Sequence, residues 1–158
     1  MKKRIIYTLL ILWMSLIFFF SNQPAIASDK VSGGVIEKIV NIIEIISNHK
    51  FNDNELEIIF KYLIFPIRKL AHFILYFILG ILFYNIIRLY SIDNRKTLII
   101  SLLFCIIYAC SDEIHQLFIS GRSGELRDVF IDTLGSLLGI LIVSKIINRK
   151  YKDLNDKV

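Results

Sequence analysis

Four long apolar runs separate the polar stretches of this sequence and restrict it to folds that place helices in a membrane. The runs cover about residues 5–20, 70–89, 98–118 and 129–147. Each is close to the ~20 residues that a helix needs to cross a hydrocarbon core about 30 Å thick. The 158-residue chain is 55% apolar with a mean hydropathy of +0.60, more hydrophobic than an ordinary soluble domain. We therefore predict an all-α fold, a bundle of four transmembrane helices that forms one domain over residues 1–158.

The basic residues predict how these helices are oriented. They gather before the first run, between the second and third, and after the fourth: Lys2, Lys3, Arg4, Arg88, Arg95, Lys96, Lys145, Arg149, Lys150 and Lys152. Cytoplasmic loops carry an excess of Lys and Arg, so both termini and loop 90–94 are expected in the cytoplasm, with residues 21–69 and 120–128 outside. The net charge of +5 does not indicate nucleic-acid binding, because the basic residues form no face with interleaved aromatic residues.

The first run has two interpretations. Ala25-Ile26-Ala27 fits the small-residue cleavage site of a secretory signal peptide. The run is long for a signal core, however, and its aromatic end, Phe18-Phe19-Phe20, favours a retained membrane anchor.

Residues 33–65 are predicted to form an extracytoplasmic amphipathic helical segment between the first two spans. Apolar residues from Val35 to Ile46 recur at helical spacing, while Glu37, Asn41, Glu44 and Asn48 share the opposite face. A second helix is expected to start near Asn52, whose side chain can cap it, and to end where Pro66 interrupts it. The segment would lie on the membrane surface, fold over the bundle as a lid, or pack as a small cap.

Each of the last three spans carries one polar face, counted at 100° per residue. These faces comprise Lys69, His72, Tyr76 and Gly80; Tyr108, Asp112, His115 and Gln116, with Glu113 about 100° from Asp112; and Asp128, Asp132, Gly135 and Gly139. The last two glycines form a GxxxG pair that allows close helix approach. The predicted topology brings the three faces to one level, with Asp112 about 9 Å along its helix from the outer end. Cys105 and Cys110, five residues apart, are expected to be core thiols.

Ionisable groups at membrane depth are costly, so this cluster predicts a functional site. Asp112, Glu113, Asp128 and Asp132 face the basic residues Lys69, Arg122 and Arg127. The charges can neutralise one another and merely fix helix packing. A metal site with His72, His115 and carboxylates is chemically possible, but it lacks HxxxH or HExxH spacing and Lys69 would compete with the cation for the carboxylates, so neither a metal ion nor another cofactor is expected. Desolvation can also make a cluster carboxylate an acid or base.

The turn at residues 121–124 adds a guanidinium and backbone N–H groups that are free to bind an anionic headgroup. Ser120 and Ser123 lie in or beside the turn, but neither has a recognisable base with which to act as a nucleophile.

At these residues the sequence resembles the VanZ-like family of small membrane proteins. The matching positions are Arg68-Lys69-Leu70-Ala71-His72-Phe73, Tyr76, Gly80, Asp112-Glu113, Gln116, Gly121-Arg122, Asp128, Asp132, Gly135 and Gly139. Ser21-Asn22-Gln23-Pro24 resembles the family's Ser-Ser-Gln-Pro element, from which Asn22 departs. The similarity covers about residues 5–147 and is most specific over 68–139. It implies a retained first helix, a place in the bacterial cell membrane, and a link to resistance against the lipoglycopeptide teicoplanin.

Our leading hypothesis is an outward-facing pocket that binds or modifies an envelope amphiphile and so lowers susceptibility to lipoglycopeptides. The ligand would be a membrane lipid, a lipid-linked cell-wall precursor or the lipoglycopeptide itself. Lys69, Arg122 and, as a further candidate, Arg127 would hold its anionic group. The four carboxylates would orient these bases or carry protons, with His72, Tyr76 and Gln116 as hydrogen-bonding groups.

Two alternatives stay open at this point. The first is an intramembrane enzyme that acts on a lipid-linked precursor or a lipid headgroup, with Asp112, Glu113, His72 or Asp132 as acid or base. The second is a structural membrane subunit, in which the charged residues serve only folding.

Overall fold

The computed structural model describes the backbone of residues 2–90 and 92–155, and the side chains of residues 3–90 and 92–149. Over these residues the protein is all-helical, with five helices: α1 (Lys2–Ser21), α2 (Ala25–Ser47), α3 (Asp53–Arg88), α4 (Asn94–Gln116) and α5 (Leu126–Asn155). By length and composition, α1, α3, α4 and α5 can each cross a membrane. The predicted all-α fold with four candidate spans is therefore confirmed. The side chains of Lys2, Lys150 and Lys152, and the loop residue Ser91, lie outside the described part.

Close contact between α3 and α5 organises the bundle, because glycines allow the two backbones to touch. A methyl group added at Gly135 or Gly139 would collide with the carbonyl oxygens of Phe73 and Phe77 on α3. From the other side, one added at Gly80 would collide with the carbonyl of Ser136. The predicted GxxxG contact is confirmed, and it fixes the register of the polar residues on α3 against those on α5.

The prediction that Pro66 ends a helix is wrong. Helix α3 begins at Asp53 behind a capping box, in which Asn52 accepts from the Glu55 amide and Glu55 accepts from the Asn52 amide, and it continues through Pro66 to Arg88. Its 36 residues span about 54 Å. Proline removes one hydrogen bond from the helix, but long apolar helices tolerate this where neighbouring groups compensate.

Helix α2 runs antiparallel to the first half of α3 and begins at Ala25 rather than near Gly33. Ser32, Ile36 and Val40 are buried on this helix, whereas Ile45 and Ile46 are exposed. Asp29 on α2 forms an ion pair of 2.8 Å with Arg68 on α3. The pair of helices thus reaches the level at which α5 begins.

The bundle core lies among α1, α3, α4 and α5. Tyr76, Leu79, Cys105, Ala109 and Ile140 are almost fully buried there. Cys105 is buried and Cys110 half-buried, and both thiols are free, as predicted. Helix α1 is tied to its neighbours by two side-chain bonds: the Trp13 indole donates to the Leu75 carbonyl at 2.8 Å, and the Tyr108 hydroxyl donates to the Met14 carbonyl at 2.9 Å.

Three helix termini meet at what we call the polar end of the bundle: the end of α1 at Ser21, the end of α4 at Gln116 and the start of α5 at Leu126. The 117–125 loop closes this end. Its Ser120 carbonyl accepts from the Ala25 amide, and its Glu125 amide donates to the Glu113 carboxylate at 2.9 Å. Gly121 adopts the left-handed conformation with φ +73°, which favours glycine at that turn.

Candidate functional site

Two adjoining cavities open at the polar end. The polar pocket, of about 50 Å³, is walled mainly by Arg68, Lys69, His72, Gln116, Arg122 and Asp128. The apolar cleft, of about 330 Å³, lies between α1, α2 and α3 and is lined by Phe20, Val31, Ala71, Ile74 and Leu75 among others. Arg68, His72 and Arg122 line both cavities. The site therefore joins a small charged compartment to a larger hydrocarbon-like one.

Lys69 stands at the wall of the polar pocket and pairs with Asp128. Its ammonium group donates to the Asp128 carboxylate, and both side chains are largely buried. The arrangement follows from the helical faces: Lys69 lies on α3 just past Pro66, and Asp128 lies in the first turn of α5. An ion pair in so sheltered a place is only weakly screened by salt.

Arg122 ties the loop to the end of α1. Its Nε donates to the Gln23 carbonyl at 2.8 Å, Nη2 to the Phe20 carbonyl at 3.2 Å, and Nη1 to the Gln116 side-chain oxygen at 3.3 Å. These three bonds leave two of its five donors for the pocket. Burial first, and then the positive charge of Arg68, lower the pKa of the Arg122 guanidinium from its usual value. A guanidinium nevertheless stays charged, so it presents a fixed cation to the pocket.

A buried acidic group lies beneath the polar pocket. Asp132 on α5 is fully buried, and Asp112 on α4 is 5% exposed. The Nδ1 atom of His72 lies 4.0 Å from Oδ2 of Asp132. Several buried atoms here have no hydrogen-bond partner: both oxygens of Asp132, Nδ1 of His72 and the Tyr76 hydroxyl. Because buried polar groups are nearly always satisfied, this concentration of unsatisfied atoms makes the cluster a candidate functional site.

Gln116 and Glu113 hold the edge of this cluster. The Gln116 amide donates to the Ser21 hydroxyl at 3.0 Å and to the Asp112 carboxylate at 3.4 Å, which links α1 to α4. Glu113 does not line the polar pocket: one oxygen accepts the Glu125 amide, and the side chain lines a separate surface depression beside Leu126 and Val129. The hydrogen bond from the Glu125 amide to Glu113 thus holds the loop in position.

The structure brings most of the sequence-predicted residues together. Those that line the polar pocket or the cluster below it are Lys69, His72, Tyr76, Asp112, Gln116, Arg122, Asp128 and Asp132. Arg127 is outside it, because its side chain is 58% exposed, pairs with Glu125 at 3.0 Å and lies over the Phe65 ring. His115 is also elsewhere: it stacks on Phe18 with ring centroids 4.7 Å apart.

Two expectations about the loop and one about α3 need correction. The Arg122 amide is not free for a ligand, because it donates to the Ile119 carbonyl at 3.1 Å. The Glu125 amide is likewise taken by Glu113. Arg68 is not among the predicted ligand-binding residues. It nevertheless lines both cavities, because its long side chain is held towards them by Asp29 of α2. The adjacent basic pair at 68–69 was the signal available in the sequence.

The fold and the site define a class, that of helical multi-pass membrane proteins with a charged pocket at one end of the bundle. The chain belongs to the VanZ/LLP1 family, whose sequence model matches residues 6–148. No curated protein and no solved structure matches the chain. The resemblance noted in the sequence is confirmed by this match.

Proposed function

We propose that this protein binds an amphiphile with an anionic headgroup at its polar end, which faces the outside of a bacterial cell membrane. The observation that carries the proposal is the junction of the two cavities at Arg68, His72 and Arg122. One molecule with a charged head and a hydrocarbon tail can fill both. Ligand pockets that are largely apolar with a few convergent polar groups fit this description.

The polar pocket suits a phosphate-sized anion. A volume of about 50 Å³ holds a few water molecules or one such group, but no sugar chain. Arg68, Lys69 and Arg122 supply three cationic groups around it, against the two carboxylates of Glu125 and Asp128 in its wall. The two donors of Arg122 that make no bond within the protein can form charge-assisted hydrogen bonds to phosphate or carboxylate oxygens.

The apolar cleft suits part of an acyl or isoprenoid chain. Val31 of α2 and Ile74 and Leu75 of α3 provide its walls, and Ala71 leaves its floor open. The cleft lies beside the charged pocket and not deep in the bundle, so a tail entering it can continue into the surrounding bilayer.

The positive-inside bias supports an outward orientation of this end. Phospholipids, lipid-linked cell-wall precursors and acylated antibiotics all meet there. The family name is linked to teicoplanin resistance, and capture of an amphiphile at this site would lower susceptibility either by withdrawing the lipoglycopeptide or by altering the lipids on which it acts.

The test is lipid binding by the purified full-length protein in phosphatidylcholine nanodiscs, with phosphatidylglycerol and undecaprenyl phosphate as probes. Removal of a charged hydrogen-bond partner costs about 1.5–3 kcal/mol, so Lys69→Ala and Arg68→Ala should each weaken binding by roughly tenfold or more. Arg127→Ala removes a nearby arginine that lies outside the pocket and is the matched control. Equal affinities for all three variants and the wild type would refute the proposal.

A second pair of variants tests the cleft. Ala71→Phe fills it and should weaken binding of the long-chain probes, while binding of inorganic phosphate or glycerol phosphate stays unchanged. Leu70→Phe places the same phenyl ring at a neighbouring exposed position that does not line the cleft. If Ala71→Phe and Leu70→Phe behave alike, the tail does not enter the cleft.

An enzyme acting on the same amphiphile is the second candidate, and the unpartnered Asp132 carboxylate beside His72 favours it. A buried carboxylate or imidazole with free atoms can take or give a proton to a substrate above it. Mass spectrometry of cell lipids incubated with the purified protein separates the two functions, because a new covalent product requires turnover and an unchanged lipid profile indicates binding alone.

A further inference from the structure

His72, Asp112 and Asp132 bring three potential metal-ligand atoms together from three different helices. One atom from each side chain lies within 4.8 Å of the other two. The residues come from α3, α4 and α5, so their spacing along the chain has no resemblance to HxxxH or HExxH. The close α3–α5 contact between Phe73 and Gly135 lies next to His72 on α3 and about one helical turn from Asp132 on α5.

Within the described part of the chain, Nδ1 of His72 and both oxygens of Asp132 lack hydrogen-bond partners, whereas Asp112 accepts from Gln116. Asp132 is fully buried, and neither of its oxygens accepts a hydrogen bond. The Tyr76 hydroxyl, also fully buried, lies near both Asp112 and Asp132. A buried carboxylate that meets no donor is strongly disfavoured. A further group that binds between these side chains would satisfy them.

The neighbouring basic residues do not supply it. The Lys69 ammonium is bound to Asp128, and the Arg122 guanidinium is bound to Gln23, Phe20 and Gln116. His72 is the one basic group within 4.0 Å of Asp132 among the described residues, and no proton is shared between them at hydrogen-bonding distance. Lys69 was expected to compete with a cation for the carboxylates, but it pairs with Asp128. Asp112 and Asp132 are therefore left for a cation.

We propose that His72, Asp112 and Asp132 bind a divalent transition-metal ion, Zn²⁺ or Mn²⁺, at the floor of the polar pocket. One imidazole nitrogen with two carboxylates is a donor set that suits these ions, whereas Mg²⁺ favours oxygen ligands alone. Bonds of about 2.0–2.2 Å place ligand atoms roughly 3–4 Å apart, so closure by less than about 1.5 Å brings the three groups into one coordination sphere.

Three protein ligands leave a further coordination position, as in catalytic zinc sites. His72 lines the polar pocket while Asp112 and Asp132 lie below it, so the open position faces the pocket. A water molecule or an anionic oxygen of the bound headgroup would occupy it. This last step rests on the proposed amphiphile binding, whereas the metal site does not.

The test uses the full-length protein, stripped with a chelator and titrated with Zn²⁺, Mn²⁺ and Mg²⁺ in the absence of added lipid. We expect one Zn²⁺ or Mn²⁺ per chain, with Mg²⁺ at least tenfold weaker. His72→Ala and Asp132→Asn should lower affinity at least tenfold. His115→Ala and Asp29→Asn remove the same chemical groups outside the cluster and should bind as the wild type does.

A spectroscopic readout guards against variants that fail to fold. Co²⁺ bound to the wild type should give visible d–d bands of a nitrogen and oxygen site, and Asp132→Asn, checked for an unchanged helical content, should lose them. Absence of a bound ion in the wild type, or equal affinity in His72→Ala and His115→Ala, would overturn the metal site. Retention of metal by Lys69→Ala when it has lost lipid binding would separate the two proposals, as would lipid binding by the chelator-stripped wild type.

Discussion

The Asp132 carboxylate and the His72 imidazole face each other with Oδ2 and Nδ1 4.0 Å apart, and neither atom has a hydrogen-bond partner. The backbones of their two helices touch nearby, at Gly135 and Phe73. The gap between the side chains is thus part of a tightly fixed contact. A site so held, with unsatisfied atoms on both sides, is suited to a third group that binds between them.

Asp132→Asn should leave the ligand-free protein at least as stable as the wild type. The change keeps the side-chain shape and removes a buried negative charge that no cation within the chain balances. Asp128→Asn is the contrasting variant, because it leaves the Lys69 ammonium without its partner and should cost about 1–3 kcal/mol. Thermal unfolding in detergent measures both. A large loss of stability in Asp132→Asn would mean that this carboxylate serves helix packing.

Gly135→Ala should disrupt the contact between α3 and α5. The added methyl group meets the Phe73 carbonyl, and backbone in a packed bundle cannot move aside cheaply. We expect a loss of about 2–4 kcal/mol, or failure to accumulate in the membrane. Gly34→Ala is the matched control, since nothing lies within 4 Å of the position of its added methyl group, and it should gain up to about 1 kcal/mol from helix propensity. Equal unfolding temperatures for the two variants would contradict the close contact.

Arg122→Lys should loosen the polar end although it keeps the charge. Lysine is a point donor and cannot reproduce the three bonds by which Arg122 holds the end of α1 and Gln116. We expect faster hydrogen exchange in the 117–125 loop and at residues 20–25, together with weaker binding of anionic lipid. Arg127→Lys, at an exposed site, should change neither measurement.

The sequence predicted the site because helical periodicity places side chains well. A rotation of 100° per residue put Lys69, His72 and Tyr76 on one face of α3, and the structure finds all three at the site. The same arithmetic put Asp128 and Asp132 above the GxxxG contact on α5. The four apolar runs were enough to predict the number of candidate spans, because the thickness of the hydrocarbon core sets the length of a spanning helix.

Helical periodicity could not predict which side chains on different helices contact one another. Periodicity does not reveal that Asp29 of α2 holds Arg68 towards the cavities. Nor does it reveal that the Arg122 guanidinium donates hydrogen bonds to two main-chain oxygens and one side-chain oxygen. Pro66 was misjudged because its cost to a helix is local, while the stability of α3 comes from packing along its whole length. A metal site of His72, His115 and carboxylates was set aside for want of HxxxH or HExxH spacing, and periodicity along one helix could not show that His72, Asp112 and Asp132 come together from three helices.

Expression of the wild-type chain in a susceptible bacterium should raise the teicoplanin concentration needed to stop growth, and pocket variants should abolish that effect. Lys69→Ala and Asp112→Asn remove, respectively, a cation at the pocket wall and a carboxylate beneath it, so both should return susceptibility to that of cells with an empty vector. Arg127→Ala, which removes an exposed side chain that does not line the pocket, should protect as the wild type does. Membrane abundance is measured in parallel, because loss of protein would mimic loss of function.

A glycopeptide without an acyl chain separates two routes to resistance. Protection against teicoplanin alone indicates that the cleft holds the antibiotic's tail, while protection against both antibiotics indicates a change in the lipids that both meet. Protection by Lys69→Ala and Asp112→Asn at normal abundance would show that resistance does not depend on this pocket.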